Sequence, residues 1–558
     1  MKRMWRIALG LLVLAAVVAA WLWWQRPRRV EMARYVPADT LIYLETNSLP
    51  ALAEALTQTE AWRVAAQPAG LDANAGNIGW WGRLAAWTGF GPADKVALAR
   101  AQVAVAVLGA NLGAGGDALK LKPQYAVVVE THTNAARLRA VVEEKIGAFA
   151  TRAYSSPRVE RREENGAGFT FWHAPESGKS IVAVFSGSVI IIGPGEAAAR
   201  ACLDAKNGAR PSLEGNAGLT EMRSRVDAAN SLAFGYVAPE GLSEILKLAA
   251  TAYAAPLVLS DPRIGIAVNS LLPALPPKIT NGLGWSARVN QGNMEDRYFL
   301  TLKNGLADSL REPLAAENNG AQNLSQFAPA RAYSLSQYNF RQPAVAWAGL
   351  NRGLAAQLDI VGAVLVTRLL AAAFQPYGIE EPGAFLKALG PEAATLRLDE
   401  ANGGAVTIVK VNDETALRAF AGKRLGADAR RETIGDAELL TAADEERGAC
   451  AFAGGYFLLG PAANVRECLT TRAENPAFRA TFPPVTGAQV VTYTNDQKAA
   501  RAFLAVVATD NTQPAALTNA LIQLPYAVSE TRLSGDGFEK RTHSSFGLIG
   551  AVAAQFAP

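Results

Sequence analysis

The chain has few of the residue types that hold metals or form disulfide frameworks. Its three cysteines and three histidines are Cys202, Cys450, Cys468, His132, His173 and His543. Three cysteines exclude the disulfide framework of small secreted domains, although a bridge between Cys450 and Cys468 stays open. The histidines are scattered, whereas a zinc site needs ligands clustered about two to four residues apart. We therefore predict no metal site.

The sequence signatures of common enzymes are also missing. The chain has no H-E-x-x-H, C-x-x-C or G-x-S-x-G motif, which argues against a metal-dependent or triad hydrolase. Gly193-Pro194-Gly195-Glu196 could open a phosphate-binding loop, but a second copy of this segment reads Gly460-Pro461-Ala462-Ala463, and no Lys-Ser or Lys-Thr follows either copy. Because proline suits the first turn of a helix, a structural role is favoured. We predict no catalytic or cofactor-binding residue, no cofactor and no enzyme activity.

Most of the chain lacks an excess of positive charge. The first 34 residues hold seven Lys or Arg and one acid, which leaves 47 basic and 49 acidic residues in the remainder. A nucleic-acid-binding protein needs a basic surface, so we predict no nucleic-acid partner. The basic residues near the N-terminus would instead favour anionic lipid headgroups.

The N-terminus contains one long apolar run. Ile7 to Trp24 is uncharged over 18 residues, and as a helix it would rise about 27 Å, close to the thickness of the hydrocarbon layer. Trp21, Trp23 and Trp24 lie beside arginines, as in an interfacial belt. We predict an anchor over residues 1–34; a signal peptide cleaved after Val18-Ala19-Ala20 is the alternative.

Basic residues flank this run on both sides, so the charge rule for orientation is nearly balanced. We favour a cytoplasmic amino terminus. The prediction is a single-pass protein of the inner membrane with its body on the periplasmic or extracytoplasmic side.

The sequence that follows the N-terminal run contains two similar copies. Phe185 to Leu203 returns as Phe452 to Leu469 with one residue fewer, and Ala126 to Gly147 pairs with Ala405 to Gly426 without a gap. Val36-Pro37-Ala38-Asp39 likewise pairs with Ala328-Pro329-Ala330-Arg331. These matches indicate an internal duplication, and an Asn-rich stretch separates the copies. The predicted divisions are 1–34 (anchor), 35–316 (first copy), 317–327 (linker) and 328–558 (second copy).

Each copy has the pattern of an α+β domain. Ile181–Phe185 and Val189–Ile192 are β-branched runs joined by a short Ser-Gly-Ser turn, and strands joined by such turns are antiparallel. Helices such as Ala135–Lys145 carry one apolar stripe. The predicted fold class is α+β: an N-terminal transmembrane helix followed by two related domains, each an antiparallel sheet packed with helices.

Three features together resemble those of a known protein family. They are the N-terminal apolar run, the Val36-Pro37-Ala38-Asp39-Thr40 segment before the strand Leu41–Leu44, and the repeated strand-Gly-Pro-helix element. The chain resembles bacterial membrane-anchored proteins grouped as domain-of-unknown-function family 3352, over most of its length after the anchor. The resemblance implies an exported, single-span, two-copy protein. Since that family has no assigned activity, it implies no catalytic residue.

Several other segments carry weaker signals. The mixed-charge clusters 160–164 and 444–447 are predicted to be solvated turns beside edge strands. Asn77–Phe90, rich in tryptophan, is either a core helix or a helix resting on a membrane surface. Leu354–Phe374 is nearly all apolar, but Asp359 and Arg368 argue against a second span, so we predict a buried helix or one wall of an apolar groove. The apolar runs 242–259 and 264–275 could line a lipid-sized pocket or simply cover the sheet.

The sequence favours a membrane-tethered, non-enzymatic binding or scaffolding module of the cell envelope, with an envelope protein or a lipid as partner. One alternative is a carrier or sensor of an apolar ligand bound between helices. Another is a hydrolase of unrecognised type.

Overall fold

The structure is a computed structural model of the chain. It describes residues 29–71, 101–113, 120–133, 136–175, 178–253, 271–303, 305–316, 324–372, 374, 377–400, 404–474, 485–507 and 512–554. Four predicted features lie wholly or partly outside the described residues: the span Ile7–Trp24, the segment Asn77–Phe90, residues 254–259 and 264–270 of the two apolar runs, and the Asn-rich joint 317–323.

Side chains in a strand point to alternate faces of the sheet. A sequence such as Val103–Val107, in which valine and alanine alternate, therefore places the larger side chains on one face and the smaller ones on the other. Within the described residues the structure has twenty strands, all in one sheet. In chain order they are β1 Ile42–Thr46, β2 Gln102–Gly113, β3 Lys120–Glu130, β4 Arg158–Glu164, β5 Ala167–His173, β6 Ser180–Ser186, β7 Val189–Gly193, β8 Ala233–Val237, β9 Leu283–Asn290, β10 Asn293–Thr301, β11 Ser334–Asn339, β12 Leu389–Arg397, β13 Ala405–Val411, β14 Arg430–Ile434, β15 Ala437–Thr441, β16 Ala449–Ala453, β17 Tyr456–Gly460, β18 Val490–Thr494, β19 Ala527–Ser534 and β20 Gly537–Ser544.

Every strand pairing in the sheet is antiparallel, and the two halves of the sheet have the same strand order when each is counted from its own outer edge. Across the sheet the order is β4-β5-β6-β7-β3-β2-β1-β8-β9-β10-β20-β19-β18-β11-β12-β13-β17-β16-β15-β14. Strands β1 to β10 therefore occupy the same positions, counted from one edge, as β11 to β20 counted from the other. At the centre, Arg297 of β10 lies directly opposite Arg541 of β20, and an approximate two-fold axis passes between them.

The predicted fold class was wrong in giving each repeat a sheet of its own. The two repeats do not form two separate sheets, because β10 pairs with β20 along its length and joins them into one. This pairing covers what would otherwise be an exposed edge strand on each repeat. The predicted class also included a transmembrane helix over Ile7–Trp24, which lies outside the described residues; no helix among the described residues is long and apolar enough to cross a membrane. The division of the chain at 317–327 stays a prediction.

Helices lie against both faces of the sheet. Within the described residues the α-helices are α1 Leu49–Thr57, α2 Glu60–Ala65, α3 Ala136–Tyr154, α4 Glu196–Lys206, α5 Ala217–Arg225, α6 Pro239–Tyr253, α7 Leu272–Ala274, α8 Pro276–Ile279, α9 Leu306–Arg311, α10 Pro343–Ala355, α11 Ile360–Ala372, α12 Pro382–Lys387, α13 Glu414–Leu425, α14 Ala462–Glu474, α15 Gln497–Val507, α16 Pro514–Ile522 and α17 Gly547–Ala554.

One face of the sheet, the Tyr43 face, carries a separate core in each repeat. Tyr43 packs with Cys202 of α4 in the first repeat, and Leu335 packs with Cys468 of α14 in the second. The repeated strand-Gly-Pro-helix segments supply these two helices. Each core is therefore built from residues of its own repeat.

The opposite face, the Trp285 face, mixes helices from both repeats. Trp285 packs with Trp62 of α2 and with Phe503 of α15, which belongs to the second repeat. Leu310 of α9, a first-repeat helix, joins the same cluster as Phe538 of β20. Each half of the central sheet is thus covered partly by the other half's helices.

The three cysteines are buried and free, so the bridge that the sequence left open is not formed. Cys450 lies on the Trp285 face and Cys468 lies on the Tyr43 face, with the sheet between them. Burial raises the pKa of each of the three thiols to about 12, which keeps them unreactive at neutral pH.

The two outer edges of the sheet are charged. The cluster 160–164 lies in the edge strand β4, not in a turn as predicted, whereas 445–447 forms a 3-10 turn between β15 and β16. Arg162 contacts Glu164 and Glu196 at 2.7 Å each. At the other edge, Glu432 of β14 pairs with Arg466. Charged side chains at both edges oppose pairing with another chain.

Candidate functional site

The second repeat holds an apolar cavity of about 400 Å³ on the Trp285 face. It lies between strands β11, β12, β13 and β17 and the helices α10 and α12. Its described lining residues are Leu314, Tyr338, Phe340, Pro343, Ala346, Trp347, Leu350, Phe374, Tyr377, Ile379, Phe385, Leu386, Leu389, Ala393, Thr395, Thr407, Val409 and Leu459. None of these carries a charge.

The floor of the cavity is a patch of the sheet with short side chains. Tyr338 lies opposite Ala393, Thr395 opposite Thr407, and Thr407 opposite Leu459. Because side chains on paired strands stand side by side on one face, these residues form a continuous surface. Ala393 leaves a depression in it, beside two threonine hydroxyls.

The roof is built mainly from aromatic rings. Helix α10 begins with a proline at its first turn, where the missing N–H costs nothing, and it places Trp347 over the floor. The Trp347 ring meets Phe374 edge-on, with ring centres 5.0 Å apart. Phe385 of α12 packs against Phe420 at 4.9 Å. Rings of this size span the space without filling it.

The same positions in the first repeat carry different side chains. The strand pairing makes Val103, Val105 and Val127 the counterparts of Ala393, Thr395 and Thr407. Compared with the first repeat, the second repeat therefore has a smaller side chain at one floor position and a hydroxyl group at the other two. In the first repeat, residues 72–100, which precede β2, lie outside the described residues.

The predicted groove wall, Leu354–Phe374, is only partly correct. It divides into the end of α10, a turn, and helix α11, and only Phe374 lines the cavity. Ile360 of α11 is 86% exposed, so α11 is not the buried helix that the sequence predicted. The wall that the sequence missed is α10, whose apolar positions Ala346, Trp347 and Leu350 follow a helical spacing.

In the Gly-Pro turns the glycines have a structural role, whereas the prolines do not lie in the first helical turn as predicted: Pro194 precedes Gly195, the N-cap of α4, and Pro461 precedes Ala462, the first residue of α14. A Cβ on Gly193 would lie 2.8 Å from the carbonyl oxygen of Tyr125, and a Cβ on Gly460 would lie 2.8 Å from that of Ala405. Each glycine permits a close approach to the neighbouring strand.

The histidines are far apart in the fold. His173 lies near Glu160 in the edge strand β4, whereas His543 lies near Glu295 at the centre of the sheet, each with 3.9 Å between the ring nitrogen and the carboxylate oxygen. No group of three or more potential metal ligands occurs in the described part of the chain.

A second, polar cleft of about 750 Å³ lies in the first repeat, lined by residues that include Asp39, Glu221 and Glu240. Asp39 already pairs with Arg210 at 2.5 Å, and Glu221 lies 3.9 Å from Arg225. Burial and the two glutamates raise the pKa of Tyr236 in this cleft to about 12. The internal ion pairs account for two of these carboxylates.

Comparison of the chain with protein families, with characterised proteins and with solved structures gives no match. The resemblance to domain-of-unknown-function family 3352 stays a prediction.

Proposed function

We propose that this protein binds a small apolar ligand in the cavity of its second repeat, without chemical conversion of that ligand. The observation that supports this is the cavity of about 400 Å³ with an uncharged lining. Ligand sites of soluble proteins fall in the range of roughly 300–1,000 Å³ and combine apolar walls with a few polar groups. Here the polar groups are the hydroxyls of Tyr338, Tyr377, Thr395 and Thr407.

The geometry favours the ligand-carrier alternative over the other two hypotheses. The described lining residues include no carboxylate, histidine, lysine or cysteine, so no general base or charged nucleophile faces a ligand there. A scaffolding role in the envelope and attachment to the inner membrane stay predictions from the sequence.

Titration with 1-dodecanol tests the proposal. Because Trp347 lines the cavity, we expect a saturable change in tryptophan fluorescence on binding. Ala393→Phe places a ring in the floor depression and should weaken binding by about tenfold or more, since each factor of ten needs only about 1.4 kcal/mol of lost contact.

Thr395→Val is the matched control on the same strand. It keeps the volume of the side chain, matches the first-repeat residue Val105 and removes only one of the four hydroxyls, so dodecanol binding should weaken much less than in Ala393→Phe. Absence of saturable binding to the unaltered protein, or equal affinity in the folded Ala393→Phe variant, would contradict the proposed function.

A further inference from the structure

The cavity lining contains four hydroxyl groups that the protein itself does not use. They belong to Tyr338, Tyr377, Thr395 and Thr407. Within the described part of the chain none of these four hydroxyls forms a hydrogen bond. A hydroxyl can donate one hydrogen bond and accept others, so each of the four is able to bond to a molecule in the cavity.

The two threonines lie side by side at one border of the cavity floor. Thr395 of β12 is directly opposite Thr407 of β13, which places their Cβ atoms about 5 Å apart on the same face of the sheet. The next residues on this face are Arg397 of β12 and Ala405 of β13, and neither of them lines the cavity. On this side the floor therefore ends at the two threonine hydroxyls.

The opposite border of the cavity is apolar. Phe340 follows the last residue of β11, and Leu389 is the first residue of β12, which runs antiparallel to β11. Leu314 lies near Phe340, because Ala316 pairs with Phe340 in an isolated bridge. All three apolar side chains line the cavity. The cavity thus has a hydroxyl-bearing end and an apolar end.

The hydroxyl-bearing border continues along the sheet beyond the cavity. Ser336 of β11 is opposite Thr395, and its Oγ lies 3.0 Å from Oγ1 of Thr492 in β18. The strand pairing gives the first-repeat counterparts of Thr395, Ser336 and Thr492 as Val105, Leu44 and Gly235. At these positions hydroxyls therefore occur only in the repeat that contains the apolar cavity.

The lining favours an uncharged polar group over an ion. No described lining residue carries a charge, and moving an unpaired charge from water into apolar surroundings costs far more than moving an uncharged polar group. An alcohol, amide or ester can form hydrogen bonds with the two threonine hydroxyls. Such a group leaves no charge without a partner.

Building on the proposed function, we infer that the ligand is a neutral amphiphile. Its uncharged head group, an alcohol, amide or ester, bonds to the hydroxyls of Thr395 and Thr407. Its alkyl chain lies between α10 and the floor and extends toward Phe340 and Leu389. The threonines select for the head group, and the apolar end binds the chain.

Four probes of equal chain length test the inference: 1-dodecanol, 1-chlorododecane, dodecanoate and dodecylammonium. At about pH 8 the unaltered protein should bind 1-dodecanol at least about tenfold more tightly than either ion. The ratio of the affinities for 1-dodecanol and 1-chlorododecane isolates the head group, because both molecules carry the same chain. The double variant Thr395→Val/Thr407→Val should lower this ratio by about tenfold, since it removes both hydroxyls and keeps the side-chain volume.

Thr494→Val/Thr531→Val is the matched control. It removes two threonine hydroxyls from the same face of the sheet, in β18 and β19, outside the cavity lining, and it should leave the ratio unchanged. An equal fall of the ratio in this control would overturn the inference, as would an unchanged ratio in the folded Thr395→Val/Thr407→Val variant.

The unaltered protein alone also decides the matter if the double variant does not fold. Equal or tighter binding of dodecanoate or dodecylammonium, compared with 1-dodecanol, would overturn the inference while the proposed function stands. If none of the four probes binds, the proposed function itself fails.

Discussion

Leu300→Pro is expected to lower the free energy of unfolding by about 3 kcal/mol or more and to loosen both repeats together. Leu300 lies in β10 between Leu283 of β9 and Phe538 of β20. Because β10 has a paired strand on each side, its N–H groups have ladder partners, and proline removes one of them. Urea unfolding followed by circular dichroism measures the free energy of unfolding. Hydrogen exchange shows which strands lose protection.

The control for this substitution is Leu300→Val, which keeps the N–H and an apolar side chain suited to strands. It should cost about 1 kcal/mol. Hydrogen exchange should quicken in β8 and β9 and also in β18 and β19 for the proline variant alone. Loss of protection in only one repeat would show that the two halves are not one cooperative sheet.

Asp496→Leu is expected to cost about 1–3 kcal/mol, whereas Asp496→Asn should cost little or add stability at neutral pH. Asp496 is buried and accepts a hydrogen bond from the backbone N of Ser545. An amide oxygen can still accept that bond, but leucine leaves the N–H without a partner. The free energy of unfolding of the three proteins, measured in urea, tests this order.

The pH dependence separates the charge of Asp496 from its hydrogen bond. Burial raises the pKa of Asp496 above its ordinary value of 3.8, so the folded state holds the proton more tightly than the unfolded chain does. The stabilisation from this group is full below the unfolded pKa and is lost as pH rises through the higher folded value.

A second buried carboxylate reinforces this effect. Asp296 accepts hydrogen bonds from Trp285 Nε1 at 2.9 Å and from the Leu548 backbone at 2.8 Å. Burial, helped by the charge of Asp496, raises its pKa as well. Asp496→Asn should therefore flatten the decline in stability from pH 4 upward. An unaltered decline in Asp496→Asn would show that Asp496 is not the group responsible.

The sequence predicted local structure well where the signal was local. The hairpin of β6 and β7 formed as expected, and a helix follows each Gly-Pro pair, although both prolines precede the first helical residue. One alignment was wrong by a single residue: matching Ala126 with Ala405 pairs Val128 with Thr407. The ladders place Val128 opposite Ile191 and Ile408 opposite Leu458, and since Ile191 and Leu458 are matched in the repeat, Val128 corresponds to Ile408.

An error of one residue in the alignment assigns each strand residue to the wrong face, because neighbouring positions on a strand face opposite sides of the sheet. With the correct register, Thr407 corresponds to Val127, and the change from valine to threonine on the cavity floor becomes visible in the sequence. The extra residue lies between β3 and α3, where a loop absorbs it without disturbing either element.

The joining of the two sheets could not be predicted from composition. Strands β10 and β20 have the residue pattern of the last strands of two independent domains. Nothing in the sequence of either strand identifies the other as its pairing partner. The mixed helical cover of the Trp285 face follows from that pairing. The cavity also depends on long-range packing, since Ala393 reads as an ordinary small residue of a strand.

A crystal structure of the protein with a dodecyl chain that carries a terminal iodine tests whether the cavity is the ligand site. We expect an anomalous iodine peak inside the cavity, between Trp347 and the floor residues Ala393 and Thr407. A fully occupied iodine site elsewhere, with the cavity filled by rearranged side chains of α10 or α12, would contradict it.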